Sequence, residues 1–159
     1  MKLRISHLID DIACAGLHPE TARARVSSYA QNRLICFAAG TNTSPNIYRP
    51  EDSAVAIILS ALQDCGVADL DLQRDVCLEI YLRIGRCLAG LTDGESWSLV
   101  VDVYRGTLGR FINAHLVRYG EAASPAMHPA FTPRGAIVVV LDEMLSPVVR
   151  RLNPPKGAN

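Results

Sequence analysis

Apolar residues recur along the first part of the chain at intervals of three and four, the spacing of amphipathic helices. At about 3.6 residues per turn, such residues share one side of a helix and leave the other side polar. The pattern predicts four helices, over residues 5–14, 19–31, 50–65 and 70–88.

A sharp corner is predicted between the first two helices. Gly16 supplies a permissive backbone after the first helix, and Leu17 can fill the angle between the two. Pro19 suits the first position of the helix that follows. In the first helix, Asp10 and Asp11 are expected to face outward.

The second helix divides into an inner and an outer side. Ala22, Val26 and Tyr29 lie within about 60° of one another and form the inner side. The outer side is polar and carries Arg23, Ser27, Ser28 and Gln31, with Arg25 on a flank. Helices that meet DNA bases and phosphates have this character, although a solvated surface is the more common role of such residues.

A short hairpin is predicted after the second helix. Residues 34–37 and 47–49 are expected to be strands, because the segment between them is rich in the turn-forming residues Gly, Asn, Ser and Pro. Arg33 and Arg49 are the cations of this hairpin, and Thr43 is one of its neutral hydrogen-bond donors.

The last third of the chain has a different pattern. A Val-rich strand is predicted over 97–104 and a buried strand over 136–140, with a surface loop over 120–135. Residues 110–119 fit either a returning strand or a short helix. A terminal helix is predicted over 141–152, with Pro147 near its start. The expected class is α+β, with a helical domain over 1–92 and a small α/β segment over 93–159.

Charge is unevenly distributed in a chain that is neutral overall. The net charge is +3 over residues 1–50, −6 over 51–100 and +3 over 101–159, which suits a nucleic-acid surface at one end. The five cysteines show no C-x-x-C spacing, and no secretory signal is recognisable, so reduced thiols and a cytoplasmic location are expected. No apolar run approaches the ~20 residues of a membrane-spanning helix.

No constellation of residues indicates catalysis, so we expect a protein that is not an enzyme and has no cofactor. The histidines lack a metal-binding spacing, and Cys77 and Cys87 are too far apart on one helix to share a metal ion. All five cysteines are interpreted as small buried apolar residues. The adjacent acidic pairs, such as Asp10 and Asp11, do not resemble a catalytic dyad.

Several of these residues occur in the order typical of one family of DNA-binding proteins. The corner has Ala13 followed by Gly16 and Leu17, and the second helix has Thr21-Ala22-Arg23. Tyr48, Glu51 and Asp52 then close the hairpin and begin the third helix. In this order and spacing, residues 5–85 resemble the DNA-binding domain of the MerR family, without the aromatic residue that usually follows the arginine.

The resemblance implies a winged helix-turn-helix, in which the hairpin is the wing. It implies that Thr21 and Arg23 approach the major groove, that Tyr48 lies near a phosphate, and that Asp52 caps the third helix. Taken together, the outer side of the second helix, the hairpin and the resemblance predict one set of DNA-binding residues. These are Thr21, Arg23, Arg25, Ser27, Ser28, Arg33, Thr43, Tyr48 and Arg49.

The first expectation is therefore a sequence-specific transcriptional regulator that binds double-stranded DNA. Its C-terminal segment would contact RNA polymerase or another regulator, or form a homodimer. One alternative is a winged helix-turn-helix protein of phage or plasmid DNA packaging or excision. Another is an adaptor that binds protein and does not contact DNA, which the neutral overall charge permits.

Overall fold

The fold combines helices with an antiparallel sheet, and the predicted α+β class is confirmed. The computed structural model describes residues 1–36, 46–106, 109–121 and 132–154, and in these it contains five helices and three strands. The elements are α1 (Ile5–Cys14), α2 (Pro19–Gln31), α3 (Pro50–Asp64), α4 (Leu70–Thr92), β1 (Trp97–Gly106), β2 (Gly109–Arg118), β3 (Thr132–Val140) and α5 (Ser146–Leu152).

The four predicted N-terminal helices are confirmed, and α4 extends four residues beyond the predicted end. Residues 109–118 form a strand, which decides between the two options left open. The predicted loop is wrong for residues 132–135, because β3 already begins at Thr132. The terminal helix is shorter than predicted and begins at Ser146, immediately before Pro147.

The chain divides into two compact units. Unit 1 comprises residues 1–60 and 143–159, and unit 2 comprises residues 61–142. This division differs from the boundary predicted at 92/93, because α4 packs against β2 and β1 and so belongs with the sheet. The last helix, predicted as part of a C-terminal segment, belongs with the N-terminal helices.

Unit 1 contains a buried carboxylate. Asp11 of α1 is 1% exposed, so the expectation that it faces outward is wrong. It follows Leu8 by three residues and therefore lies on the same side of the helix. Its two carboxylate oxygens accept hydrogen bonds from the Ser53 hydroxyl of α3 (2.7 Å) and from the Arg151 guanidinium of α5. One side chain thus joins three helices.

In unit 2, β1 is the central strand of a sheet with the order β2-β1-β3, and both pairings are antiparallel. One sheet face packs against α4 and includes Leu99, Val101, Ile112, Ala114 and Leu116, all buried. At the end of α4, the Glu95 carboxylate accepts hydrogen bonds from Arg118 (2.9 Å) and the Trp97 indole (3.1 Å). The Arg118 hydrogen bond holds the pKa of Glu95 below its usual value.

The opposite sheet face is exposed along β3. The strand predicted over residues 136–140 is confirmed, but the prediction that it is buried is wrong for Val138 and Val140, which are 61% and 62% exposed, and holds for Val139 on the other face. On this face Val100, Asp102 and His115 are partly buried, and the His115 Nε2 lies 3.5 Å from the Asp102 carboxylate. The apolar composition of β3 suggested that it is buried. However, α4 covers mainly β2 and part of β1.

Two glycines of α4 should respond in opposite ways to alanine. Gly85 is exposed and a Cβ atom there would meet nothing, so Gly85→Ala should raise the free energy of unfolding by about 1 kcal/mol through helix propensity. A Cβ at buried Gly90 would collide with the Glu95 carboxylate and the Trp97 indole, so Gly90→Ala should lower it. Urea unfolding of both variants measures the difference, and equal effects would contradict this assignment.

Removing the buried carboxylate should destabilise unit 1. We expect Asp11→Ala to cost about 3 kcal/mol, because it leaves the Arg151 guanidinium partly buried without its carboxylate. The neighbouring Asp10→Ala, at an exposed position, should cost less than about 0.5 kcal/mol. Chemical unfolding is measured for both variants, for Arg151→Ala, and for Asp11→Ala combined with Arg151→Ala. If the two side chains are coupled, the double variant should lose less stability than the sum of the losses in the Asp11→Ala and Arg151→Ala variants.

Candidate nucleic-acid interface

The corner between α1 and α2 is closed by two backbone hydrogen bonds. The Gly16 N–H donates to the Ala13 carbonyl (3.0 Å), and the Leu17 N–H donates to the Ile12 carbonyl (3.4 Å). This is a Schellman motif, with Gly16 in the left-handed region at a φ of 107°. The chain therefore leaves α1 in a defined direction, and α2 begins at Pro19 and packs against α1.

The inner and outer sides of α2 are those predicted. Ala22, Val26 and Tyr29 are buried. On the opposite side Thr21, Arg23 and Ser28 are exposed, and Ser27 is half-buried. No hydrogen bond or ion pair joins the Arg23 side chain to any residue in the described part of the chain. Its guanidinium donors are thus available to a ligand such as a phosphate or a base edge.

Arg25 does not belong to this outer surface. Its Nη1 donates to the Ser60 carbonyl oxygen (2.8 Å) and to the Ser60 hydroxyl (2.7 Å), and the site is partly buried. The predicted role of Arg25 in DNA contact is therefore corrected: its side chain fastens α2 to α3. The helical spacing placed it on a flank, and only the fold brings Ser60 within reach.

Arg33 is exposed beyond the end of α2 and has an unusual backbone. The φ of Arg33 is 57°, in the left-handed region that favours glycine, and its N–H donates to the Ala30 carbonyl (3.2 Å). The Leu34 N–H donates to the Tyr29 carbonyl (2.9 Å), which completes a second Schellman motif. A long cationic side chain thus occupies a position where glycine would fit better.

The described part of the predicted wing differs from the prediction. Residues 34–36 follow the helix end and are not a strand, while residues 37–45, including Thr43, lie outside the described residues. Tyr48 forms an antiparallel bridge with Leu3 and is 0% exposed. The predicted phosphate contact of Tyr48 is therefore corrected, because a buried ring does not reach a phosphate.

Arg49 and Asp52 organise the start of α3. The Asp52 carboxylate accepts a hydrogen bond from the Arg49 backbone N–H (2.6 Å), so Asp52 caps the helix as expected. The Arg49 side chain is half exposed, and its Nε lies 3.6 Å from the same carboxylate. Arg49 therefore remains an exposed cation on the surface of unit 1.

The sequence interpretation did not include two further exposed cations. Lys2 and Arg4 flank Leu3, whose bridge to Tyr48 brings them beside the segment that carries Arg49. A bridge between residues 3 and 48 leaves no periodic signal, so no pattern along the chain groups these cations. Unit 1 contains nine basic and six acidic residues, and two of its acids, Asp11 and Asp52, are buried.

The cysteines are divided between the surface and the core. Cys14, Cys36 and Cys65 are exposed, so the interpretation of all five as buried is wrong for these three. Cys77 and Cys87 are buried, and burial raises the pKa of Cys87 to about 12. The described residues contain no group of three or more His, Cys, Asp or Glu side chains that could hold a metal ion.

Comparisons with protein-family models, with curated proteins and with solved structures found no match to this chain. Within the described residues, no helix has both the length and the apolar character needed to cross a membrane.

The left-handed backbone at Arg33 should be costly for stability. Arg33→Gly is expected to raise the free energy of unfolding by about 1 kcal/mol, because glycine adopts this φ without a Cβ clash. Asn32→Gly is the matched control: residue 32 has an ordinary φ of −84°, and its amide donates to the Ser28 carbonyl (2.9 Å), so glycine there should destabilise. Thermal unfolding compares the two, and a loss of stability in Arg33→Gly would contradict the argument.

Proposed function

We propose that unit 1 is a helix-turn-helix domain, similar to that of the MerR family, and that the protein is a sequence-specific transcriptional regulator. Double-stranded DNA is its proposed partner. In this proposal α2 enters the major groove, and Thr21, Arg23 and Ser28 meet base edges and phosphates. Ser27, half-buried on the same side, contributes from the flank.

The observation that carries the proposal is the polar outer side of α2, held at a fixed angle by the corner at Gly16. The helix buries only small and medium-sized apolar residues and one tyrosine, and it presents an arginine that no described residue engages. A rigid corner also reduces the entropy lost when such a helix docks into a groove.

Charge supports the same proposal. Lys2, Arg4, Arg33 and Arg49 are exposed cations of unit 1 that can neutralise phosphates at the edges of the groove. In the proposal, Arg49 lies near the DNA backbone, and Thr43, which is outside the described residues, keeps its predicted role in the wing. Unit 2 then serves as the surface for RNA polymerase or another regulator, in a cytoplasmic protein.

Arg23 should be the most sensitive residue of this interface. We expect Arg23→Ala to weaken binding to the specific duplex by about 1–3 kcal/mol without loss of stability, because the side chain is exposed. Binding should also weaken steeply with salt, as phosphate neutralisation releases counterions. The specific duplex is first recovered by selection from random DNA with the purified protein, and affinities are then measured by fluorescence anisotropy.

The control for this experiment is Arg74→Ala. Arg74 is also an exposed helical arginine, but it lies in unit 2 and pairs with Asp71 at 3.0 Å. Its removal should leave duplex affinity within about twofold of the unaltered protein. Equal affinity losses in the two variants, or unchanged affinity in Arg23→Ala, would exclude α2 as the DNA-reading helix.

A second candidate function, an adaptor that binds protein without DNA, is favoured by unit 2. This unit has seven basic and ten acidic residues, and Val138 and Val140 of its sheet are exposed. A mobility-shift assay on random duplex at low salt separates the candidates. Absence of any shift at micromolar protein would favour the adaptor, whereas a salt-sensitive shift supports DNA binding by either a regulator or a packaging or excision protein.

A further inference from the structure

The outer edge of β3 carries backbone groups that no strand in the described part of the chain pairs with, because β1 lies on the other side of β3. Of the two edge strands, β3 is the more exposed. α4 packs against β2, whereas seven of the nine residues of β3 are exposed. Unpaired N–H and carbonyl groups along such an edge readily form hydrogen bonds with another strand.

The register of the sheet shows which residues of β3 direct their backbone groups outward. The Leu141 N–H donates to the Trp97 carbonyl (3.0 Å), and the two residues lie opposite one another. In an antiparallel ladder, hydrogen-bonded pairs alternate with pairs that are not hydrogen-bonded. Every second residue of β3, counted back from Leu141, therefore bonds to β1. The residues between them direct their N–H and carbonyl groups to the free edge, and they are Ala136, Val138 and Val140.

These three free-edge residues are apolar, and residues of opposite charge stand at the two ends of the stretch. All three are exposed, and their side chains lie on the sheet face opposite to the one that packs against α4. Arg134 precedes Val138 by four residues, and Asp142 follows it by four. Proteins commonly protect an edge strand from pairing with a charged side chain inside the strand, but residues 135–140 contain none.

This order of residues is complementary to itself about Val138. If the β3 strands of two copies run antiparallel with Val138 on a two-fold axis, Val138 faces the same residue of the second copy, and Ala136 faces Val140. Each of these residues then directs both of its backbone groups at the other strand, so every outward N–H meets a carbonyl. The same register brings Arg134 of each copy close to Asp142 of the other.

Other ways of pairing the two strands lose part of this match. A parallel pairing in the same register would bring Arg134 close to Arg134 and Asp142 close to Asp142, and it would turn the apolar side chains of the two copies to opposite faces of the sheet. An antiparallel pairing shifted by two residues would set Asp142 against Ala136 or, in the other direction, Arg134 against Val140. The match of apolar residues and of charges therefore selects the register centred on Val138.

Both charged residues can take part in this contact. Arg134 lies in the β-bulge that ends the regular part of β3, its side chain is exposed, and no hydrogen bond or ion pair joins it to any described residue. Asp142 is half-buried, and one of its carboxylate oxygens accepts a hydrogen bond from the Trp97 backbone N–H (2.8 Å). Its other oxygen can accept a hydrogen bond from a guanidinium.

We propose that the free edge of β3 binds the β3 strand of a second copy of the chain, so that two three-stranded sheets join into one antiparallel sheet of six strands. The occupant is another copy because the edge is complementary to itself in hydrogen bonds, apolar side chains and charge. The sequence suggested a homodimer through residues 93–159 without indicating which element forms it. This pairing does not depend on DNA binding, and it is tested without DNA.

A cysteine placed on the two-fold axis tests the register. The background is the full-length protein in which the exposed Cys14, Cys36 and Cys65 are replaced by serine. In this background Val138→Cys should form a disulfide between two chains under mild oxidation, because the Cα atoms of a hydrogen-bonded pair are about 5.5 Å apart, within the range that a disulfide spans. Gel electrophoresis under non-reducing conditions measures the cross-linked dimer.

The matched control is Val140→Cys in the same background, since Val138 and Val140 are almost equally exposed. In the proposed register the two cysteines introduced at position 140 are more than about 12 Å apart, so this variant should not cross-link. An equimolar mixture of Ala136→Cys and Val140→Cys should cross-link, because these positions face one another. Cross-linking of Val140→Cys alone, or none in Val138→Cys, would overturn the proposed pairing.

Sedimentation velocity of the full-length protein over a concentration series measures association without a cross-link. Val138→Lys should be a monomer at concentrations where the unaltered protein is a dimer, because two ammonium groups would meet on the axis. Its circular dichroism spectrum should not change, since residue 138 is exposed in the monomer. Leu82→Lys, at an exposed apolar position on α4, should leave association unchanged. A monomer at every concentration, a dimer that survives Val138→Lys, or a dimer lost in Leu82→Lys would each contradict the proposal.

Discussion

The buried Asp11 carboxylate is the interaction on which the architecture of unit 1 depends. A charged group inside a protein is tolerated only when its oxygens have strong partners, and Asp11 has them in Ser53 and Arg151. These partners lie on α3 and α5, so the requirement to satisfy one carboxylate fixes three helices together. This joining of α1, α3 and α5 matters for α2, because α2 is mainly polar and contributes little apolar surface of its own.

The helix boundaries were predictable because their signals are local. Periodic apolar residues define α1 to α4, and Gly16 allows the left-handed turn that the corner requires. Roles that depend on distant partners were not predictable. Arg25 was predicted to contact DNA from a flank of α2, but Ser60, 35 residues away, accepts its hydrogen bonds. Likewise, the bridge to Leu3 buries Tyr48 although the pattern around Tyr48 resembles that of an exposed wing residue.

The strands show a different limit of sequence interpretation. The valines of β3 suggested burial because composition reports how apolar a strand is, whereas burial depends on what covers it. In unit 2 the covering element is α4, which lies over β2 and part of β1. Likewise, the sequence predicted a helix over residues 70–88, but only the fold shows that Leu78 and Leu82 on this helix are exposed.

The same reasoning reconciles a neutral chain with a proposed polyanionic partner. Net charge sums all ionisable groups, but a phosphate meets only those that folding leaves at the surface. In unit 1, the buried Asp11 and Asp52 are paired with Arg151 and Arg49, while Arg23 and Arg33 remain exposed. Unit 1 has nine basic and six acidic residues, and most of the acidic residues that balance the chain belong to unit 2.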